Sequence, residues 1–356
     1  MIMVFKVDPD LYKSIKEVVG KGSYESVESF VEIALLNQLQ LEKHGISSIS
    51  RTKGGTIQLE VGETESRLRQ PKTQSGAQPL TEVLAFPKSA SLPVLQPQPL
   101  NEKTQAFPLW GQINRLMPVK FVLRLLANQI SAMGNDRVDL KLFSADVAEN
   151  ATSARIYIEK KDKTQRIRGT ELYVGFSKKD PGSQKRFISF YVGKLPSGKW
   201  TDGVLTGLSL ARIDQTEEGS ITIGLTEAGR QFACLRSPLI DDFLLEGKQI
   251  ENPFSNEETD FLLRHVKSSR PGDHEYLVSV LKFVKAGANT PTLLHGKIAQ
   301  FLQDKHTGVK FSAKASNTML VGAVGRLVEM RLLKIEKDAQ KSKYVVTDDG
   351  ENLLGK

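Results

Sequence analysis

One frame occurs twice in this chain and limits its fold more than any other feature. Residues 208–229 read Leu-Ser-Leu-Ala-Arg-Ile, a polar turn at 214–219, Ser-Ile-Thr-Ile-Gly-Leu, then Thr226-Glu-Ala-Gly229. Residues 333–350 read Leu-Lys-Ile-Glu-Lys, a polar turn at 338–342, Lys-Tyr-Val-Val, then Thr347-Asp-Asp-Gly350. Alternating apolar residues on either side of a polar turn predict a β-hairpin in each case. A short helix is predicted to begin at each Thr-x-x-Gly, the first of them carrying Phe232.

Helical periodicity precedes both hairpins. Pro118 opens a helix with Val119, Val122, Leu123, Leu126 and Ile130 on its inner side, and helices are predicted over 140–160 and 183–194. Ahead of the second hairpin, helices are predicted over 257–268, 274–286, 291–303 and 316–331. The expected class is mainly α with small β elements, with a middle domain at 107–242 and a C-terminal domain at 243–356. A helix followed by a hairpin and a terminal helix begun at Thr-x-x-Gly resembles the winged-helix pattern. That resemblance implies DNA contact through the helix before the hairpin and through the hairpin itself.

In the second unit the helix 316–331 turns Leu320, Val321, Val324, Leu327 and Val328 inward, which leaves Ser316, Asn317, Thr318, Gly322 and Arg326 outward. Lys314, Asn317 and Arg326, with Lys341 and Lys343 at the hairpin tip, are its candidate DNA contacts.

The distribution of charge directs attention to the middle of the chain. The net charge is +8, and the span 155–199 alone carries 12 basic residues against 4 acidic ones. Arg155, Lys160, Lys161, Lys163, Arg166 and Arg168 lead into Lys178, Lys179, Lys185 and Arg186, with Lys194 and Lys199 beyond. Tyr157, Tyr173, Phe187, Tyr191 and Trp200 are interleaved with them. Basic residues neutralise phosphates, while aromatic ones either stack on bases or anchor the segment; core packing is expected for Phe187 and Phe190. The tip of the first hairpin, Asp214-Gln-Thr-Glu-Glu218, is acidic and opposes phosphate, so contact is expected through 155–199.

The N-terminal residues form a separate module. Residues 1–7 alternate as a short strand with Met3, Phe5 and Val7 on one face; Asp8-Pro9 opens a helix, and Ser26 opens a second one carrying Phe30 and Val31. The order strand, Asp-Pro-x-Leu helix, Gly-x-Tyr-x-Ser turn and Val-Glu-x-Phe-Val helix resembles ribbon-helix-helix repressors over about residues 1–43. The resemblance implies a homodimer whose paired strands enter the major groove. Met3, Phe5, Val7, Phe30 and Val31 would then serve dimerisation, with Val4 and Lys6 facing the groove and Ser26 holding a phosphate. Ile2 and Val4 are apolar and residues 1–43 carry 5 basic against 7 acidic residues, so the module suits pairing better than reading. Residues 44–106, rich in Ser, Thr, Gln, Pro and Gly, are expected to be a disordered tether.

Several classes of activity find no support. There is no Gly-x-x-x-x-Gly-Lys-Ser/Thr loop, the five histidines lack ligand spacing, and the single cysteine, Cys234, lies in an apolar helix context. Asp241-Asp242 and Asp348-Asp349 are expected to cap helices. Neither a membrane span nor a signal peptide is expected. These features lead us to expect a cytoplasmic, non-enzymatic protein without metal or cofactor. It would be a homodimeric, sequence-specific double-stranded DNA-binding protein of the prokaryotic transcription-regulator type. The other expectation is a scaffold or accessory factor of a plasmid, partition or phage-defence system, with a protein partner at the middle domain and non-specific DNA binding.

Overall fold

The computed structural model describes residues 48–51, 57–60, 79–87, 92–164, 166, 170–194, 201–217, 219–338 and 341–355. Residues 1–74 and 75–356 form two units. In the first, β1 (Ser48–Arg51) pairs antiparallel with β2 (Ile57–Glu60), Ser48 opposite Glu60. The ribbon-helix-helix expectation for 1–43, with Met3, Val4, Phe5, Lys6, Val7, Ser26, Phe30 and Val31, lies outside the described residues.

The second unit is mainly helical. It begins with α1 (Leu80–Val83), α2 (Glu102–Ala106) and α3 (Met117–Met133), then β3 (Val138–Asp139) and α4 (Leu140–Lys161). A 3₁₀ turn (Leu172–Gly175) leads to α5 (Pro181–Tyr191), the strand pair β4 (Gly193–Lys194) and β5 (Thr201–Asp202), and α6 (Val204–Gly207). The first hairpin is β6 (Ala211–Gln215) with β7 (Ile221–Leu225), followed by α7 (Glu227–Cys234) and a wide-turned π-type helix (Pro238–Leu245). Then come α8 (Asn256–Ser269), α9 (Pro271–Lys285), α10 (Pro291–Lys305) and α11 (Ala313–Glu329). The second hairpin, β8 (Leu333–Asp338) with β9 (Lys341–Val346), precedes α12 (Asp348–Gly355). β3, β7 and β6 form one antiparallel sheet in which Ile223 of β7 lies opposite both Val138 and Ile213.

The helix α3 lies at the centre and is buried almost all round. Phe121, Val122, Leu123, Leu126 and Ile130 are fully enclosed, and so are Lys120 and Arg124 on the same helix. Those two cations serve the carbonyl end of α7, where the last turn of a helix leaves acceptors without intrahelical partners. Lys120 Nζ donates to the carbonyls of Phe232 and, at 2.7 Å, Leu235. Arg124 donates to the carbonyls of Ala233 (2.9 Å) and Leu235 (3.1 Å). Their charges are met by Glu258 of α8 (3.1 Å) and by Asp241 of the π-type helix (2.9 Å).

Two expectations about organisation are corrected. The 242/243 boundary between a middle and a C-terminal domain falls inside the helix Pro238–Leu245, and residues 75–356 form one compact unit. The seam is closed by buried charged side chains that local periodicity cannot reveal. Arg115 meets Glu329 at 3.2 Å, while Arg326 meets Asp273 at 2.6 Å, whose other oxygen accepts from the Leu109 amide at 2.7 Å.

The expected tether 44–106 is also corrected where it is described, since residues 48–51 and 57–60 pair as strands and residues 79–87 and 92–106 belong to the second unit. Leu84, Leu92 and Leu95 are buried, and the Leu95 amide donates to Leu225 O at 2.7 Å beside the end of β7. Gly224 makes room for this contact: a Cβ there would lie 2.6 Å from the Leu95 side chain and 2.5 Å from Asp136 O. Pro-rich extended chain needs no periodicity of its own when single leucines drop into slots on another surface, so composition misled here.

The two hairpins share one root, matched bond for bond. Ser209 (φ 53°) and Arg331 (φ 60°) are the two non-glycine residues with positive φ among the described residues, and each stands two residues before its hairpin's first strand, next to Leu210 and Leu332 respectively. Thr226 Oγ1 donates to Ser209 O (2.7 Å) and accepts from the Gly229 amide (3.1 Å); Thr347 Oγ1 donates to Arg331 O (2.5 Å) and accepts from the Gly350 amide (3.2 Å). The threonine amides donate to Leu210 O and Leu332 O respectively. Both glycines are obligatory, because a Cβ would stand 1.8 Å from Leu210 O at Gly229 and 2.3 Å from Leu332 O at Gly350.

Candidate nucleic-acid interface

The basic span 155–199 separates in the structure into cations that hold the fold and cations that face solvent. Arg155 donates to the carbonyls of Tyr173 (2.9 Å) and Phe176 (3.1 Å), pairs with Glu159 at 2.7 Å and lies over the Tyr173 ring. Arg166 pairs with Asp162 at 2.8 Å and donates to Ile250 O and Glu251 O, both at 2.7 Å. Both arginines are thereby withdrawn from the expected DNA contacts. Guanidinium groups are well shaped to bind several carbonyls at once, and these lie up to 85 residues away in sequence. Arg168 lies outside the described residues, as do Lys199 and Trp200.

Two exposed groups remain. Lys160, Lys161 and Lys163 sit at the carbonyl end of α4, where the helix dipole alone accounts for lysines at about 0.3–1 kcal/mol each. Gln249 further clamps this end, donating to Lys161 O and accepting from the Lys163 amide, both at 3.0 Å. Lys178, Lys179, Lys185 and Arg186 form the second group, around the start of α5. No such dipole explanation applies there, since cations at a helix N-terminus are disfavoured.

The helix α5 is set up by local chemistry. Asp180 caps it by accepting from the Ser183 amide at 2.8 Å, Pro181 occupies the first turn, and Ser183 Oγ accepts from the Lys178 amide at 2.9 Å. Its inner face is held by an aromatic file. Phe121 meets Phe176 edge-on at 5.1 Å, Phe176 stacks with Phe187 at 6.3 Å, and Phe187 contacts Tyr191 at 4.8 Å. Tyr191 also donates to Arg115 O at 3.2 Å, and burial drives its hydroxyl well above the usual tyrosine range. Phe187 and Tyr191 are therefore core, Phe190 is partly buried against it, and Tyr157 packs edge-on against Phe243. Lys185 and Arg186 project from a helix with little freedom to shift.

The first hairpin has an acidic tip. Asp214 is engaged by Arg212 (2.7 Å) and Arg137 (3.1 Å), which leaves Glu217 exposed. Phosphate contact through this hairpin is disfavoured on charge.

In the second unit, the expected outward face of α11 is only half open. Lys314 and Asn317 are exposed, as is Lys343 in β9; the Lys341 side chain lies outside the described residues. Arg326 is 1% exposed and neutralised by Asp273, which corrects its assignment as a DNA contact. Ser316 and Gly322, also expected outward, are buried, whereas Val321, expected inward, is 51% exposed. At Gly322 the cause is Gly111, since a Cβ on Gly322 would stand 2.5 Å from Gly111 O and two backbones meet where polarity alone suggests solvent; Ser316 instead lies 3.2 Å from His295 Nε2 of α10. A glycine at a helix position adds nothing to an apolar stripe, and the stripe is therefore misjudged by one face.

Sequence reasoning missed the buried cations Lys120 and Arg124 and their partners. Their one signal is their isolation: they stand four residues apart in the otherwise apolar run Met117–Leu126. Burial lowers Lys120 to about 8 despite the attraction of Glu258, and raises Glu258 and Glu329 above the usual carboxylate range. Asp241, expected as a cap, accepts from the Ser237 amide (2.7 Å) and also anchors Arg124, while Asp242 pairs with Arg236. Burial pushes the Cys234 thiol up, the direction opposite to a reactive thiolate.

No group of three or more His, Cys, Asp or Glu side chains placed to hold a metal occurs among the described residues. No helix among them is long and apolar enough to cross a membrane. Comparison with protein-family models, curated proteins and solved structures finds no match for this chain.

Proposed function

We propose that this protein binds double-stranded DNA through α5 and the residues leading into it, as a homodimeric, sequence-specific regulator of the prokaryotic type. The observation that carries the reading is the cluster Lys178, Lys179, Lys185 and Arg186, exposed around a helix locked from behind by Phe187 and Tyr191. A rigid helix presenting cations without an ion-pair partner among the described residues suits backbone contact and groove entry. In this reading each helix–hairpin unit is winged-helix-like, residues 1–43 pair two chains, and Lys160, Lys161 and Lys163 supplement phosphate contact. Pairing would double the number of α5 helices on one duplex and raise avidity without new contacts.

Selection from a random DNA pool, followed by salt titrations on selected and random duplexes, tests this. Tighter binding to the selected sequence at every salt concentration supports a regulator; equal affinities with a steep salt slope leave only non-specific binding. Light scattering on residues 1–43 tests pairing, and a folded monomer would remove it.

A second reading, a non-enzymatic accessory factor with a protein partner, is favoured by one feature. Met133 and Leu142, 55% and 65% exposed, flank the connection between α3 and α4. Capture of a partner that is lost in Met133→Lys/Leu142→Lys, with DNA affinity unchanged, would support it.

A further inference from the structure

The helix leading into the second hairpin has two halves with different surroundings. From Gly322 onward α11 is sealed by the segment 109–116. Gly322 meets Gly111, a Cβ on Gly325 would stand 2.3 Å from Asn114 O, and Arg326 and Glu329 are consumed by Asp273 and Arg115. Before Gly322 one face of the helix is open, with Lys314 and Asn317 exposed and half of Val321 in solvent.

The sealing segment adds open side chains beside that half. Gly111 sits against the Thr318 backbone, where a Cβ would stand 2.2 Å from Thr318 O, and both its neighbours, Trp110 (47%) and Gln112, are exposed. Residues 306 to 328 contain no acidic residue, and Lys310, also exposed, leads into the helix. Lys314, Asn317 and Val321 thus share the open face of α11, and Gly111 brings the exposed residues Trp110 and Gln112 to the same turn of the helix. Side-chain amides bond to adenine edges, apolar groups contact thymine methyls and lysine meets phosphate. The uniform sign of the charge selects a polyanion over a protein surface of mixed charge.

We infer that the first half of α11, together with Trp110 and Gln112 from the segment ahead of α3, is a second duplex-contacting surface. It is composite: the side chains that complete it come from the far end of the folded unit. The inference rests on the reading that this chain binds DNA. The Arg115–Glu329 pair fixes the segment to the helix, and Asp273 joins the two by pairing with Arg326 while accepting from the Leu109 amide, so the surface needs no rearrangement to bind.

The test compares full-length wild type, Lys185→Glu/Arg186→Glu and Gln112→Ala/Lys314→Glu/Asn317→Ala by anisotropy on a labelled random duplex of about 30 base pairs across a salt series. The triple variant is expected to lose about tenfold in affinity and about one unit of salt slope, and to shorten the hydroxyl-radical footprint at one end. Wild-type affinity, slope and footprint in the triple variant, alongside weakened binding in the α5 variant, would overturn the second surface and leave the first. Absence of salt-sensitive binding in wild type would overturn both. All three substituted positions are exposed; should the triple variant lose its near-ultraviolet circular dichroism, Lys314→Glu alone decides by the same readouts.

Discussion

Gly111 and Gly322 meet backbone to backbone, close enough that a Cβ on Gly322 would lie 2.7 Å from the Gly111 Cα. In an exposed helix, glycine to alanine gains about 1 kcal/mol from propensity alone. Here the added methyl has nowhere to go, since its neighbours are main-chain atoms. Gly322→Ala is expected to destabilise by about 1–3 kcal/mol in urea unfolding, in the range of overpacked core sites. A stabilised variant would show that the segment 109–116 does not seal α11.

The Lys120–Glu258 pair gives a second expectation. Removing one partner leaves a buried charge without compensation, so Lys120→Met and Glu258→Leu should each cost about 3–5 kcal/mol. The double variant should lose clearly less than the sum of the two, because burying both charges already costs much of what their attraction returns; a residual loss is expected because the Phe232 carbonyl loses its Lys120 donor. Urea midpoints for the four proteins check this; additive losses would refute it.

The same pair predicts a pH response. Lys120 titrates at about 8 in the folded protein against an ordinary 10.5, so between these values the unfolded chain holds a proton that the folded one has released. Stability contributed by this group therefore rises with pH across that window. Unfolding free energies measured from pH 8 to 10 should climb more steeply for wild type than for Lys120→Met/Glu258→Leu, by up to about 1.4 kcal/mol per pH unit. Parallel profiles would mean that Lys120 keeps its ordinary affinity for a proton.

At α5 the expected effect is on binding alone. Lys185→Glu/Arg186→Glu should weaken binding to every duplex by about 10–100-fold and reduce the salt slope by about two, with unchanged circular dichroism. Undiminished affinity would move DNA contact away from this helix.

Residues 92–106 should resist proteolysis. Leu95→Asp is expected to expose this stretch to protease and to destabilise by about 2–4 kcal/mol, by placing an unpaired carboxylate in an apolar slot. Rapid cleavage of wild type within 92–106 would restore the tether as first expected.

These cases mark how far sequence alone reaches. Helices α3 to α5 and α8 to α12, and both hairpins, are readable because their apolar residues recur at the period of the element. The separation of 155–199 into fold-holding and free cations is not readable, since Arg155 and Lys185 look alike until the carbonyls of Tyr173 and Phe176 are placed. Buried charge is likewise hidden: the partners of Lys120, Arg124 and Arg326 lie 53 to 138 residues away along the chain. Lys185 and Arg186 were legible as candidates through charge density, whereas Trp110 and Gln112 carry no local signal and emerge only from the contact of Gly111 with α11.

The paired threonine roots have a consequence for how such a molecule can vary. Each knot ties the chain at the two ends of its hairpin, and the span from Leu210 to Thr226 is already one residue longer than that from Leu332 to Thr347. Apart from Asp214, which Arg137 holds, length and charge at the tips are therefore free of these knots. An acidic tip could be exchanged for a basic one, or a longer loop grafted in, without disturbing the helices beneath.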